Sequence, residues 1–355
     1  NVFFVMNAGS IPTPPLGASA ALPPGNSPAA MITRKVGPAL AAGCAIVVKP
    51  AAQTPLSALA LAVLAEEAGL PTGLLSIVPT SDARGVGAEM TGNPLVRKLS
   101  FTGSTEIGKL LYRQSADTVK KLGLELGGNA PFIVFDDADV DAAGKGAIAS
   151  KYRNAGQTCV CANRLYVQAG IHDAFVAKLA DAVRALKVGD GADAGVEVGP
   201  LIEEAAVEKV ERHIADATAK GARIVCGGGR SALGGTFFEP TLLTGVTAAM
   251  DVAREETFGP LAPVFRFTDE ADVVAQANDT RFGLAAYFYA SDLSRVWRVA
   301  EALEYGIVGV NTGLISTEVA PFGGMKESGL GREGSRYGID DYLEVKYVCM
   351  GMDLG

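Results

Sequence analysis

The sequence feature that most constrains the fold is an alternation of short apolar runs with amphipathic helical patterns over residues 17–128. This alternation is typical of βαβ units, in which a helix crosses over between parallel strands of one sheet. The helical pattern of Leu56–Ala68 ends at Gly69, a residue suited to a helix C-cap. We therefore predict an α/β domain around a parallel sheet. Its predicted strands are Ala18–Leu22, Ala45–Lys49, Leu75–Val78, Val96–Phe101 and Lys121–Glu125.

The second half of the chain repeats the alternation. Asp137 and Asp139 are suitable caps for a helix that runs to about Arg153, because a carboxylate accepts hydrogen bonds from the first helical turn. The segment Asp341–Met350 alternates apolar and polar residues like a strand. Further helices are predicted over His172–Leu186, Glu203–Lys220, Glu270–Asn278 and Leu293–Glu304, and strands over Leu165–Gln168, Arg223–Cys226, Ala285–Tyr289 and Ile307–Asn311.

Charge and composition exclude several kinds of partner. The formal net charge of −8 disfavours a nucleic-acid backbone as a partner. The longest apolar runs, such as Ser57–Leu64 and Leu284–Ala290, are too short to span a bilayer, so we expect no membrane partner. The N-terminus lacks the basic region and hydrophobic core of a signal peptide. The five scattered cysteines suit a reducing compartment, and we expect a cytoplasmic protein.

The sequence also narrows the chemistry that is available. The two histidines, His172 and His213, are far apart in the chain, so no metal site is expected. His213 belongs to an amphipathic helix pattern and is predicted to lie on the surface. Neither a Gly-x-Ser-x-Gly elbow nor a Ser-x-x-Lys motif is present. Any covalent catalysis is therefore assigned to cysteine.

One cysteine stands in a context that suits acyl chemistry. Cys159 lies among small and polar residues in Gly156–Cys161, and Glu125 precedes it by 34 residues. A thiolate can attack a carbonyl carbon, and a carboxylate can then activate water to release the acid. The alternative for an isolated cysteine is a buried and inert thiol. The choice depends on what else lies at defined separations.

The cysteine segment is one of five motifs, and their order and spacing carry a resemblance. The separations from Cys159 to Asn26, Glu125 and Glu256 are 133, 34 and 97 residues. The motifs are Phe101–Gly108, Leu124–Pro131, Asn154–Arg164, Glu255–Pro260 and Pro321–Lys326. With these motifs the chain, from about Pro28 to about Gly351, resembles the aldehyde dehydrogenase superfamily, and most closely its succinate-semialdehyde dehydrogenase branch.

The resemblance implies an aldehyde dehydrogenase-like α/β fold. A Rossmann-type cofactor domain is expected over residues 17–128 and a catalytic α/β domain over residues 129–337. Residues 338–355 match a strand that reaches another subunit, and residues 1–16 are interpreted as an atypical segment or linker. The family carries more than a hundred further residues before this point, with most of an oligomerisation hairpin. We therefore expect an N-terminally shortened fold that forms a monomer or an altered dimer.

The resemblance also implies roles for single residues. Cys159 corresponds to the nucleophile and Glu125 to the general base. Asn26 corresponds to the side-chain donor that stabilises the oxyanion together with the backbone N–H of Cys159. The implied cofactor is NADP or NAD, and the residues expected to bind it are Lys49 at the adenosine ribose, Gly103 and Ser104 at the pyrophosphate, and Glu256 and Phe258 at the nicotinamide.

Three further residues match the carboxylate-binding groups of the succinate-semialdehyde branch, namely Arg34, Arg153 and Ser316. Arginine suits this task because its planar fork can pair with both oxygens of a carboxylate. Cys161, two residues after the nucleophile, corresponds to the second cysteine of a redox switch in that branch. A small residue of the core is an equally good interpretation of Cys161.

Departures from the family pattern leave alternative functions open. The chain has Gly25-Asn26-Ser27 where the family has tryptophan and phenylalanine around this asparagine, which is expected to widen the substrate passage. The first hypothesis is an NAD(P)-dependent aldehyde dehydrogenase acting on a small aldehyde. The second is a cofactor-independent esterase that uses Cys159 on a carboxylic or aryl ester. The third, an inactive binding module, is disfavoured because the catalytic residues are all present.

Overall fold

The computed structural model describes residues 13–348. Its helices are α1 (Pro28–Ala41), α2 (Leu56–Glu67), α3 (Ala83–Gly92), α4 (Thr105–Ser115), α5 (Val140–Lys151), α6 (His172–Ala185), α7 (Glu204–Ala219), α8 (Asp251–Arg254), α9 (Glu270–Asn278), α10 (Leu293–Ala302) and α11 (Tyr337–Asp340). Its strands are β1 (Ala18–Leu22), β2 (Ile46–Val48), β3 (Leu75–Ile77), β4 (Val96–Thr102), β5 (Lys121–Glu125), β6 (Ala130–Val134), β7 (Ala162–Gln168), β8 (Arg223–Cys226), β9 (Thr241–Thr244), β10 (Leu261–Phe267), β11 (Phe282–Gly283), β12 (Ala285–Tyr289), β13 (Ile307–Val310), β14 (Met325–Lys326) and β15 (Gly329–Leu330).

The chain divides into two compact units. Among the described residues, unit 1 contains 13–101, 111–123 and 333–348, and unit 2 contains 102–110 and 124–332. The cofactor domain expected over residues 17–128 differs from unit 1, because the ends of β4 and β5 fall in unit 2. Gly103, Ser104 and Glu125 consequently belong to the same unit as Cys159.

Unit 1 is built on parallel strands. In its described part they lie in the order β3, β2, β1, β4, β5, and β1 pairs in parallel with both β2 and β4. Small and branched side chains such as Ala21, Ile46 and Val48 fill the core, together with Tyr342 from near the end of the chain. This confirms the predicted parallel sheet.

Unit 2 contains a larger sheet. Among its described residues seven strands follow the order β13, β12, β6, β7, β10, β9, β8, and the pairs are parallel except for β8 with β9. All five residues of β6 and of β12 are buried, as expected for strands covered on both faces. The predicted α/β class is therefore confirmed for this unit as well.

Of the two caps predicted for α5, one is confirmed and one is wrong. Asp139 caps α5 by accepting hydrogen bonds from the N–H groups of Asp141 and Ala142. Asp137 instead accepts from the N–H groups of Ser291 and Asp292, because the start of α10 offers donors of the same kind.

The strand predicted over Asp341–Met350 lies partly outside the described residues. Residues 341–348 contain an isolated bridge between Leu343 and Pro15 and no extended strand. A strand in this segment would need a partner along its whole length, so its role in assembly stays a prediction. Most of the segment interpreted as a linker over residues 1–16, including Val2–Met6, also lies outside the described residues.

Candidate active site

Three segments of unit 2 meet at the amino-terminal edge of its sheet. Strands β6, β7 and β10 are neighbours and parallel, and the register pairs Ala130 at the start of β6 with Ala162 at the start of β7. Since parallel neighbours in register begin at the same edge, the segments before them lie side by side. These segments are residues 125–129, 154–161 and 255–260.

Two glycines allow the three segments to approach closely. A Cβ atom at Gly128 would lie 2.2 Å from the carbonyl oxygen of Cys159. A Cβ atom at Gly156, whose φ is +76°, would lie 2.1 Å from the carbonyl oxygen of Gly259. Both distances are far below van der Waals contact, so each position requires glycine. The glycines of two motifs are thus explained by backbone contact with the segment next to them.

The loop that carries Cys159 has an unusual backbone conformation. Asn154 and Ala155 adopt left-handed φ values of 53° and 54°, which cost free energy unless surrounding contacts hold them. The hydroxyl of Tyr287, which is buried in β12, donates a hydrogen bond of 2.7 Å to the carbonyl oxygen of Val160. Cys159 itself is half-buried. The backbone of the loop next to Cys159 is therefore fixed by a hydrogen bond from β12.

Glu125 is almost fully buried, with 2% of its surface exposed. It ends β5, and its carbonyl oxygen accepts a hydrogen bond of 3.0 Å from the N–H of Gly103. Gly128, three residues later, is the glycine that faces Cys159. The predicted base and the predicted nucleophile therefore lie in adjoining segments of one unit.

The carboxylate of Glu256 points at the same glycine segment. Its Oε1 accepts a hydrogen bond of 3.1 Å from the N–H of Gly128, and its Oε2 lies 3.1 Å from where a Cβ at Gly127 would be. Burial raises the pKa of Glu256 from 4.5 to about 7, against the effect of the Gly128 N–H and more distant cations. Gly128 thus contacts both Cys159 and the Glu256 carboxylate.

The prediction that His213 lies on the surface is wrong. Its side chain is fully buried, with Nδ1 3.1 Å from Thr257 Oγ1 and Nε2 3.1 Å from Glu255 Oε2. Burial lowers the pKa of His213, and this effect exceeds the opposite effect of Glu255. The spacing in the sequence contained the signal, because Val210 and Ala217 precede and follow His213 by three and four residues on the buried face of α7.

Gly103 and Ser104 stand at the start of α4, where a phosphate was expected. Ser104 is exposed, and its Oγ accepts a hydrogen bond of 3.4 Å from the N–H of Ile107. The N–H of Gly103 is already bound to Glu125. A phosphate at this helix end would therefore depend on Ser104 and the helix dipole more than on Gly103.

The remaining unit 2 candidates lie around the loop and on the surface. Arg153 is exposed next to the left-handed residues, and Ser316 is exposed after β13. Cys161 has a reduced, buried thiol that points at the carbonyl oxygen of Lys151 at 3.4 Å. Burial raises the pKa of Cys161, while the charges of Lys151 and Arg153 oppose that rise. These contacts suit the core interpretation of Cys161, and its redox role stays a prediction.

Asn26, Arg34 and Lys49 belong to unit 1. Asn26 is half-buried between β1 and α1, and Arg34 is half-buried on α1. Lys49 follows β2, and burial lowers its pKa. Their roles toward substrate and cofactor stay predictions.

Residues 13–348 contain neither a candidate metal site nor a helix that could span a membrane. No cluster of three or more histidine, cysteine, aspartate or glutamate side chains is arranged to hold a metal ion. No helix in this part of the chain combines the length and the apolar character needed to cross a bilayer.

Comparison with known proteins gives a consistent result. The model of the aldehyde dehydrogenase family matches residues 8–348. The NADP(+) succinate-semialdehyde dehydrogenase of Escherichia coli strain K12 is 70% identical over 338 residues, which are 95% of this chain and 70% of that protein. The 3-sulfolactaldehyde dehydrogenase of Pseudomonas putida is 66% identical over 337 residues, 95% of this chain and 69% of that protein. A crystal structure of succinate-semialdehyde dehydrogenase from Burkholderia pseudomallei matches with a TM-score of 0.95 and 68% identity, covering 96% of this chain and 70% of that chain.

Proposed function

Because the chain belongs to the aldehyde dehydrogenase family of oxidoreductases, we propose that it oxidises a short aldehyde with a terminal anionic group to the acid, with NADP as the hydride acceptor. One relative is described as acting on a semialdehyde of a dicarboxylic acid and another on a sulfonated aldehyde. Both substrates carry an anion at the end opposite the aldehyde. Arg34, Arg153 and Ser316 are the residues proposed to bind it.

The observation that carries the proposal is the double contact of Gly128. Its Cα packs on the carbonyl of Cys159, and its N–H donates to Glu256. The proposed nucleophile segment and the carboxylate proposed to bind a ribose therefore both contact Gly128. A carboxylate can accept about four hydrogen bonds. Among the described residues, Gly128 donates the one hydrogen bond that Glu256 accepts. Acceptor sites therefore remain for two vicinal hydroxyls of a ribose.

The residues suggest a division of labour in the reaction. The Cys159 thiolate attacks the aldehyde carbon and forms a C–S bond, and the oxygen gains the negative charge that Asn26 and the Cys159 N–H are proposed to stabilise. Bound NADP would supply the acceptor for the hydride that leaves this carbon as the thioester forms. Glu125 then takes a proton from water, which attacks the thioester and releases the acid and the thiol.

Glu256 and Ser104 are the unit 2 residues that would hold the cofactor, at the nicotinamide ribose and at the pyrophosphate respectively. Phe258, with a left-handed φ of 56°, would lie next to the nicotinamide ring. Lys49 of unit 1 is proposed at the adenosine ribose. The raised pKa of Glu256 suits a site in which a carboxyl is partly shielded from water.

The test is reduction of NADP(+) followed by absorbance, with succinate semialdehyde, 3-sulfolactaldehyde and neutral butanal compared at equal concentration. We expect turnover with the two anionic aldehydes, slower turnover with butanal, and loss of all three rates in Cys159→Ala. Cys161→Ala serves as the matched cysteine control and should retain turnover. Folded protein that reduces neither NADP(+) nor NAD(+) with any of the aldehydes would contradict the proposal.

A second candidate function is ester hydrolysis by the same cysteine without a cofactor. It is favoured by the small residues on both sides of Asn26, because Gly25 and Ser27 are expected to leave more room for a bulky ester than two aromatic side chains would. Hydrolysis of 4-nitrophenyl acetate in the absence of NADP tests it. Loss of this rate in Cys159→Ala is expected, and its survival in that variant would exclude Cys159 as the nucleophile.

A further inference from the structure

The proposed chemistry makes no use of one buried titratable side chain, His213. It projects from α7 and contacts the Glu255–Thr257 segment through both ring nitrogens. The Glu255 carboxylate, whose pKa is lowered chiefly by its hydrogen bond with His213, is ionised at neutral pH and can only accept. Nε2 must therefore carry the proton and donate to Glu255, and Nδ1 must accept from the hydroxyl of Thr257.

These two contacts flank Glu256. The backbone at Glu255 is extended, with φ −102° and ψ 141°, and successive side chains of an extended segment point to opposite sides. The side chains of Glu255 and Thr257 consequently face α7, while the Glu256 carboxylate faces Gly128. The imidazole thus contacts both neighbours of Glu256, on the side of the segment opposite to Gly128.

A second group holds the same segment through its backbone. Asn163 donates to the carbonyl oxygen of Glu255 at 3.0 Å and accepts from the N–H of Thr257 at 3.3 Å. Helix α7 also supports the following turn, since a Cβ at Gly259 would lie 2.4 Å from Val210 Cγ2. Asn163 fixes the backbone of residues 255–257, and the two bonds from His213 fix the side chains of Glu255 and Thr257 against α7.

We propose that His213 is a positioning residue of the cofactor site, which holds Glu255 and Thr257 so that the Glu256 carboxylate is presented to the nicotinamide ribose. This inference rests on the proposed function of Glu256. It assigns His213 no contact with substrate or cofactor. The imidazole acts through Glu256, so its removal should impair hydride transfer far more than acyl hydrolysis.

The test uses His213→Phe, which keeps the ring shape and removes both hydrogen bonds, and His213→Gln, whose amide restores a donor toward Glu255. His172→Gln is the matched control, because His172 pairs with the exposed Asp173 on another helix of unit 2. For His213→Phe we expect at least about a tenfold rise in the KM for NADP(+). We also expect a larger primary isotope effect with the aldehyde deuterated at its carbonyl carbon, and a much smaller change in 4-nitrophenyl acetate hydrolysis. His213→Gln should recover part of the loss.

Glu256→Gln and the double variant separate the possible failures. If His213 acts through Glu256, adding His213→Phe to Glu256→Gln should not raise the KM for NADP(+) further. If the KM for NADP(+) rises in Glu256→Gln but is unchanged in His213→Phe, the role of His213 is overturned while that of Glu256 stands. An equal loss of dehydrogenase and esterase rates in folded His213→Phe also overturns it. If the folded, unaltered chain reduces neither NADP(+) nor NAD(+) with any of the aldehydes, the proposed function is overturned, and this inference with it.

Discussion

Single side chains at the candidate site differ in chemistry from the same residues in water. Glu256 would be ionised at neutral pH if exposed, but burial brings its pKa to about 7. His213 is kept in one neutral tautomer by its two partners. Arg153 is exposed next to the loop that carries Cys159. The local surroundings, rather than residue type, thus distinguish these groups from the other charged residues of the chain.

Glu256→Gln should change the pH dependence of stability. The folded chain holds the Glu256 proton up to about pH 7, whereas an exposed glutamate loses it near pH 4.5, so stability falls as pH rises through this window. The penalty is complete above pH 7 and amounts to at most about 3 kcal/mol, reduced by the partial exposure of the residue. Thermal unfolding should show Glu256→Gln gaining more relative stability near pH 8 than near pH 5. An equal difference at both pH values would contradict the raised pKa.

Arg153→Gln should raise the KM for succinate semialdehyde by about 10- to 100-fold, because a hydrogen-bonded charge pair contributes about 1.5–3 kcal/mol. The rate with neutral butanal should change little. Arg184→Gln is the control, since Arg184 is an exposed arginine of α6 that pairs with Asp181. Equal losses with both aldehydes would show that Arg153 supports the loop and does not bind the anion.

At the level of elements, the site depends on the starts of three parallel strands. The segments before β6, β7 and β10 lie so close together that a Cβ atom at Gly128 or Gly156 would overlap a backbone carbonyl oxygen of the neighbouring segment. The hydroxyl of Tyr287 on β12 donates a hydrogen bond to the carbonyl oxygen of Val160. The strands therefore do more than fill the core, because their register sets the distance between the nucleophile segment and its neighbours.

Gly128→Ala tests this dependence. The added methyl group meets a backbone oxygen, which cannot rotate away, so a cost of about 1–3 kcal/mol is expected. Displacement of Cys159 should lower both dehydrogenase and esterase rates by about 100-fold. Gly144→Ala on α5 is the control, because nothing lies within 4 Å of its Cβ position, and it should be neutral or slightly stabilising. Near-normal rates in Gly128→Ala would refute the steric argument.

At the level of the whole molecule, contacts within unit 1 join the two ends of the described chain. Leu16 N–H donates to the carbonyl oxygen of Tyr342 at 3.0 Å, and Cys44 Sγ lies 3.3 Å from the same oxygen. The buried Lys35 pairs with Glu333. Such contacts between distant residues carry a large loop-closure cost and slow folding. The oligomeric state, expected to be a monomer or an altered dimer, stays a prediction that light scattering can test.

Tyr342→Ala should destabilise unit 1 by about 3–5 kcal/mol, because it removes a large buried side chain from that core. Limited proteolysis should then cut first within residues 13–101, and the thermal transition should move to lower temperature. Val345→Ala is the control, since Val345 is 77% exposed three residues later. If cleavage within unit 1 were no faster than in the control, Tyr342 would not be an essential part of the core.

Local pattern was enough to predict many elements. β1 and β5 have the predicted bounds, α2 and α6 differ from prediction by one residue at one end, and α7 differs by one residue at each end. Their apolar spacing and flanking residues are encoded within the segment itself. The pattern missed α1, which begins at Pro28 and contains Pro38. It also missed β6 and β10, whose continuous apolar runs contain proline and lack alternation. Both strands are stabilised by neighbours on two faces, which no local pattern shows.

The sequence by itself determined the α/β class and singled out residues 156–161 as the candidate nucleophile segment, since periodicity and motif spacing are properties of the chain. The tertiary structure alone decided that Gly128 contacts both Cys159 and Glu256, and that His213 is buried behind Glu256. Residues 128, 159, 213 and 256 come from four separate elements or loops. Their proximity follows from strand order and register, and these result from packing across the whole sheet.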